Sequence, residues 1–191
     1  MVLVKEGRQQ IWVRAFDGQE PLALAGTREK GRALAERVGI PEIVVLDQGH
    51  AAGRRMRDYG PFDDPASAKA ALLVECGQHW LQPSADIAIA AALRFLAALE
   101  LVDPQWLARH GEAPPDRRQR VIEVTDAVTV ESDRFHFCEP YTGLEVIARA
   151  GTVIGHDGER PITTPYDECV LIMPSRRLAR GQTAVRLGHL V

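Results

Sequence analysis

Lysine is nearly absent from this 191-residue chain: Lys5, Lys30 and Lys69 stand against twenty arginines. No lysine follows Lys69. That excludes a swinging arm in the tail, because a covalently attached prosthetic group of that kind needs a lysine at a hairpin tip. Cysteine is also scarce. Cys76, Cys138 and Cys169 form an odd set without paired spacing, which argues against a disulfide framework and fits a reducing cytoplasm. Aromatics make up 6% and the net charge is −3, so the chain lacks the basic signature of a nucleic-acid binder. The longest apolar stretch, Ile87 to Leu99, contains Arg94 and is too short to span a bilayer. The start, MVLVKEGRQQ, has no apolar core of signal-peptide length. No repeat or low-complexity tract is visible. With 46% hydrophobic and 26% charged residues, the composition is that of a soluble globular protein of one domain or two small ones.

The most informative stretch is Leu72-Leu73-Val74-Glu75-Cys76-Gly77-Gln78-His79-Trp80. An apolar run bounded by glycine reads as a buried strand. Here it runs into a carboxylate, which is expensive to bury without a partner. In open α/β sheets the mouth beyond the strand ends is where ligands bind. Glu75 is therefore the first candidate for chemistry. The competing reading is a structural glutamate that caps a helix or pairs with an arginine.

The flanking elements fit an α/β region over residues 1–102. Ile11 to Phe16 alternates weakly and reads as a hairpin arm or edge strand before the turn signal Asp17-Gly18. Pro21 to Gly26 reads as a short buried strand, Thr27 as an N-cap, and Arg28 to Val38 as a helix stopped by Gly39. Ile43 to Leu46 is a second buried strand, which makes a parallel crossover unit. A polar loop, Asp47 to Gly60, follows. Its Arg54, Arg55 and Arg57 suit a carboxylate pocket, because guanidinium groups grip planar anions bidentately. The alternative is a solvated loop. Asp64 or Ser67 is placed to cap a short helix over Ala66–Ala70, leading into the Glu75 strand. A largely buried helix starts near Pro83 or Ser84 and runs to about Leu101. Residues 103–120 change character and read as a linker. From 121 to 191 all signals are β, with short strands and glycine turns such as Asp157-Gly158, which implies a small barrel or sandwich.

Val74-Glu75-Cys76-Gly77 with Gln78-His79-Trp80 and the apolar helix after it carry a resemblance. So do the tail motifs Ala150 to Gly155, Asp157-Gly158, Leu171 to Pro174 and Gly181 to Gly188. Over roughly residues 21–191 the chain resembles the succinylglutamate desuccinylase/aspartoacylase family, zinc-dependent hydrolases related to zinc carboxypeptidases. The resemblance implies a partial carboxypeptidase-like α/β sheet followed by a β domain. It further implies a zinc cofactor, an N-acyl amino acid or similar amide as substrate, and Glu75 as the base that takes a proton from the attacking water. Arg54, Arg55, Arg57 and His79 would then line the substrate pocket. The family's His-x-x-Glu zinc pair has no counterpart before Glu75, so the resemblance covers the rear of such an enzyme. No metal ligand is assigned: Cys76 and His79 at i, i+3, with His50, could offer three ligands, but one close pair without a second is weak metal evidence and Cys76 reads rather as a small buried hydrophobe. A tyrosine that some members supply from the β domain is not evident either; Tyr141 is a distant substitute. As an isolated chain the protein is expected to be weak or inactive. The alternative is a non-catalytic homologue acting as a binding or oligomerisation module. Under either reading the expectation is a cytoplasmic homo-oligomer without nucleic-acid or membrane partners.

Overall fold

A computed structural model describes residues 2–5, 9–14, 20–48, 55–78, 80–110 and 118–191. The fold is mixed α/β, and the chain divides into two compact units, 1–121 and 122–191. In the first unit, β1 (Val2–Lys5) and β2 (Gln9–Arg14) form an antiparallel hairpin. Then come β3 (Leu22–Leu24), α1 (Glu29–Val38), β4 (Ile43–Leu46), β5 (Ala70–Glu75), α2 (Gln82–Ala98) and α3 (Pro104–His110). The strands lie side by side in the order β1-β2-β5-β3-β4. β3 and β4 are parallel, as the crossover reading requires. β2 and β5 are also parallel, but β5 runs antiparallel to β3. The sheet is thus two parallel pairs facing opposite ways. The turn signal Asp17-Gly18 lies outside the described residues.

Apolar side chains of β2, β3, β4 and β5 build one core with Leu34, Ala35 and Val38 of α1 and Ala91 and Phe95 of α2. α1 ends where Gly39 takes a left-handed conformation (φ 75°) and donates its N–H to the Ala35 carbonyl. Its first turn differs from the sequence reading. Arg28 occupies the N-cap position, no side chain caps the helix, and Thr27 is exposed. No helix forms over Ala66–Ala70. Asp64 Oδ1 accepts the Ala66 N–H, and the Ser67 hydroxyl accepts the Lys69 N–H. Both side chains close local turns, which is the common alternative use of Asp and Ser before a helix. The single helical turns here are Met56–Asp58 and Gly60–Phe62. Residues 103–120 include α3, with Asp103 Oδ1 accepting the N–H groups of Gln105 and Trp106.

Gly31, inside α1, meets the end of β3. A Cβ there would collide with the Ala25 carbonyl oxygen. Alanine ordinarily stabilises a helix interior by about 1 kcal/mol over glycine. Here the obstacle is backbone and cannot rotate away, and overpacking typically costs about 1–3 kcal/mol. The collision is expected to win, so Gly31→Ala should lower the urea midpoint at unchanged slope. A raised midpoint would show that α1 can shift away from β3 at little cost.

The second unit contains strands and no helix: most of β6 (Arg120–Thr129), then β7 (Phe135–Phe137), β8 (Val146–Ile147), β9 (Val153–Asp157), β10 (Arg160–Thr163), β11 (Cys169–Ile172) and β12 (Thr183–Leu190). One sheet has the order β6-β12-β11-β8, and a three-stranded sheet has β10-β9-β7. Val130, Phe135, Ile154, Ile162, Leu171, Val185 and Leu187 close its core.

Two carboxylates hold its loops. Asp157 accepts from the Ser132 hydroxyl and from the Glu131 and Ser132 N–H groups, which together keep its carboxyl below the usual range. Burial pushes Glu145 up, but donors from Thr142 and Gly143 outweigh it and hold it low. Groups with depressed folded-state values stabilise above their unfolded pKa. That contribution is lost as pH falls from each group's unfolded value through its lower folded value, on the acid side of the ordinary carboxylate range. Replacing Asp157 with Asn should flatten the acid limb of stability against pH, followed by near-UV circular dichroism. An unchanged acid limb would remove Asp157 from the account.

Candidate functional site

Glu75 is the last residue of β5, and its side chain is completely shielded from solvent (0% exposed). Its register neighbours are Arg14 at the end of β2 and Leu22 at the start of β3. The next residue, Cys76, turns back into the apolar core. Its thiol is pushed up to about 11 by burial and then by the charge of Glu75. Gly77 follows with φ 95°, and a Cβ there would stand 3.0 Å from the Ser84 hydroxyl in the first turn of α2. Gly77 therefore lies close against the start of α2.

The arginine cluster lies at the other end of the strands. Asp47, one residue beyond β4, is buried and pairs with Arg55, Oδ2 to Nη2 at 2.8 Å. Arg57 is buried too; its Nη2 donates to the Asp47 carbonyl (2.9 Å), and its Nη1 lies 3.3 Å from Asp58 Oδ1. Burial pushes the Asp58 carboxyl above its usual range, against the pull of Arg57 and Arg55. Lys30, on α1, donates to the carbonyls of Pro61, Asp64 and Ser67 and so ties down the loop. Arg28 pairs with Asp63 at 3.1 Å. A polar cavity of about 360 Å³ opens among these groups, lined by Gly26, Arg28, Asp47, Arg57 and Asp58, and by Ala70 and Ala71 at the start of β5. Because β5 runs opposite to β3 and β4, this cavity faces its beginning. Four residues of strand, about 13 Å, separate Ala71 from Glu75.

The structure thus brings Arg55 and Arg57 together around Asp47 and places them away from Glu75. Arg54 and His79, the other residues read as substrate contacts, lie outside the described residues, as does His50. Asp47, Asp58 and Lys30 carry the cluster's electrostatics. Asp47 could have been found by the pattern that singled out Glu75, an apolar strand ending in a carboxylate.

Zinc needs deprotonated, converging ligands. Among the described residues no three His, Cys, Asp or Glu side chains are gathered to hold a metal ion. Cys76 is a poor ligand, because burial and Glu75 both oppose its thiolate. The described residues at the Glu75 end therefore do not fit a zinc centre. Among them, no helix is long and apolar enough to cross a membrane.

No protein-family profile matches the chain, and no curated protein sequence does. Solved structures do. A succinylglutamate desuccinylase from Vibrio cholerae superposes with a TM-score of 0.62 at 20% identity, over 96% of this chain and 52% of that one. The enzyme of that name from Vibrio parahaemolyticus gives 0.60 at 19%, over 97% and 54%. A succinylglutamate desuccinylase/aspartoacylase from Rhodobacter sphaeroides gives 0.59 at 16%, over 95% and 58%. The chain has the fold of these proteins along nearly its whole length and spans about half of theirs. The likeness read from the Glu75 motif and the β tail holds at the level of fold.

Proposed function

We propose that the chain is part of an amidohydrolase of the succinylglutamate desuccinylase/aspartoacylase family, cleaving the amide of an N-acyl amino acid or related small molecule. The observation that carries this reading is the carboxylate at the end of β5, in a chain whose fold matches those enzymes over 97% of its length. Glu75 takes a proton from water as the water oxygen bonds to the acyl carbon. It returns the proton to the nitrogen as the C–N bond breaks, giving a carboxylic acid and an amine. Zinc is the cofactor this family reading implies, but the described residues do not fit it, so no step is assigned to it. The arginine cluster is not given the substrate carboxylate, because it faces the opposite end of β5. Under the same reading, residues 122–191 form a β domain of their own, and the protein is a cytoplasmic homo-oligomer.

A second reading rests on the burial of Glu75. A base must reach its water, and no solvent reaches this carboxylate in the present structure. A chain that keeps the fold with Glu75 as an internal structural group would be a non-catalytic binding or oligomerisation module.

The test is amine release from a panel of N-acylglutamates, N-acylaspartates and other N-acyl amino acids, with the whole chain and zinc supplied. Release that scales with protein and disappears in Glu75→Gln supports hydrolysis. No release from any amide overturns it and leaves the second reading.

A further inference from the structure

The polar cavity between the β3–α1 turn and the loop after β4 is walled by charge of both signs. One wall is the turn itself, from Gly26 to Gly31. A helix start leaves its first N–H groups without intrahelical acceptors, and no side chain caps those of α1. The helix dipole and the Arg28 guanidinium draw an anion to this wall. The Lys30 ammonium is already engaged by three loop carbonyls. Asp58 belongs to a second wall and stands over Gly26, where a Cβ would lie 3.8 Å from its Oδ1 and 2.6 Å from Arg57 Nη1. Glycine, here at φ 74°, lets both side chains approach the turn. Asp58 Oδ1 has Arg57 as a neighbour at 3.3 Å. Its Oδ2 is shut off from solvent and accepts no hydrogen bond. A buried acceptor without a donor is costly. Burial pushes this carboxyl up in spite of Arg57 and Arg55, so its charge is only partly offset.

We propose that this cavity binds a free α-amino acid, its carboxylate held by the start of α1 with Arg28 and its ammonium by Asp58 Oδ2. Each end of such a ligand answers one wall. A carboxylate alone would leave the Asp58 oxygen without a donor, and an amine alone would leave the helix start without an anion. The volume, about 360 Å³, falls at the small end of the roughly 300–1,000 Å³ that small-molecule sites span. Phe62, Ala70 and Ala71 supply apolar lining for the ligand's side chain. The position is also one that α/β sheets use. The cavity opens beyond the carboxyl ends of the parallel strands β3 and β4. It lies about 13 Å along β5 from Glu75, and the proposal does not rest on Glu75 being a base.

Calorimetric titration of the full chain with each standard α-amino acid in turn, through the millimolar range, reads the site. The expected result is saturable binding of at least one of them, at one molecule per chain. The N-acetyl derivative and the primary amide of that amino acid each lack one charge. Both should bind about 10- to 100-fold more weakly, the loss of one charge-assisted hydrogen bond. Asp58→Asn should weaken the amino acid by the same factor and leave the N-acetyl derivative unaffected. Arg28→Gln, at an exposed position, should weaken the amino acid and spare the amide. Both variants are checked for native circular dichroism. Should Asp58→Asn lose its fold, the derivatives and Arg28→Gln decide. No binding by any amino acid, acetate or methylammonium binding as tightly as the amino acid, or an affinity indifferent to a folded Asp58→Asn or to Arg28→Gln would each overturn the proposal.

Discussion

Glu75→Gln is expected to lower amide hydrolysis by about 10²- to 10⁴-fold while leaving the melting curve close to that of the parent. Glutamine keeps the length and planarity of the side chain and one acceptor oxygen. It cannot take a proton from water, and that loss falls on the chemical step. Stability follows a different logic. The side chain is sealed from solvent at the end of a central strand, between β2 and β3. If its charge is chiefly structural, removing it should cost about 3–5 kcal/mol, the usual result of breaking a buried pair. Rate and denaturant midpoint, measured on the same variant, therefore separate the readings. A rate loss at constant midpoint identifies a base. A midpoint loss, in a protein whose parent hydrolyses nothing, identifies a structural carboxylate.

Much of the fold was legible because local chemistry settled it. The helix α1 announced itself by its apolar spacing and by Gly39, whose left-handed conformation stops it. The apolar runs Ile43 to Leu46 and Ala71 to Glu75 became β4 and β5. Strand direction was another matter. Nothing in Leu22-Ala23-Leu24 says that it lies antiparallel to Leu73-Val74-Glu75, since that pairing depends on the long connection from Asp47 to Lys69. The loop after β4 and the end of β5 looked like one mouth in sequence and are two ends of a sheet in space. The same pairing explains why Asp47 was passed over. Its pattern, Val45-Leu46-Asp47, matches Val74-Glu75, but only the fold shows that arginines of its own loop converge on it. The turn at Asp64 and Ser67 shows the limit of capping signals. Such residues bond to nearby N–H groups whether or not a helix follows.

Asp47→Ala is the substitution expected to destabilise the first unit most, by about 3–5 kcal/mol. Arg55 would lose the carboxylate it pairs with at 2.8 Å, in a place where its side chain is only 14% exposed. Arg57 would keep its bond to the Asp47 main-chain carbonyl, which no side-chain change removes. The cost should therefore fall mainly on Arg55. Arg55→Met in the Asp47→Ala background should recover part of it, because a stranded buried charge is worse than an apolar side chain of similar length. A double-mutant cycle in urea measures that coupling, and additive effects would show that the ion pair contributes nothing of its own. The same variant tests the geography of the site. The cluster and Glu75 are about 13 Å apart along β5. Near-full folding of Asp47→Ala in a stabilising buffer should thus leave KM for any hydrolysed amide unchanged. A raised KM at full folding would return the arginines to the substrate and require that a bound ligand reach from one end of the strand to the other.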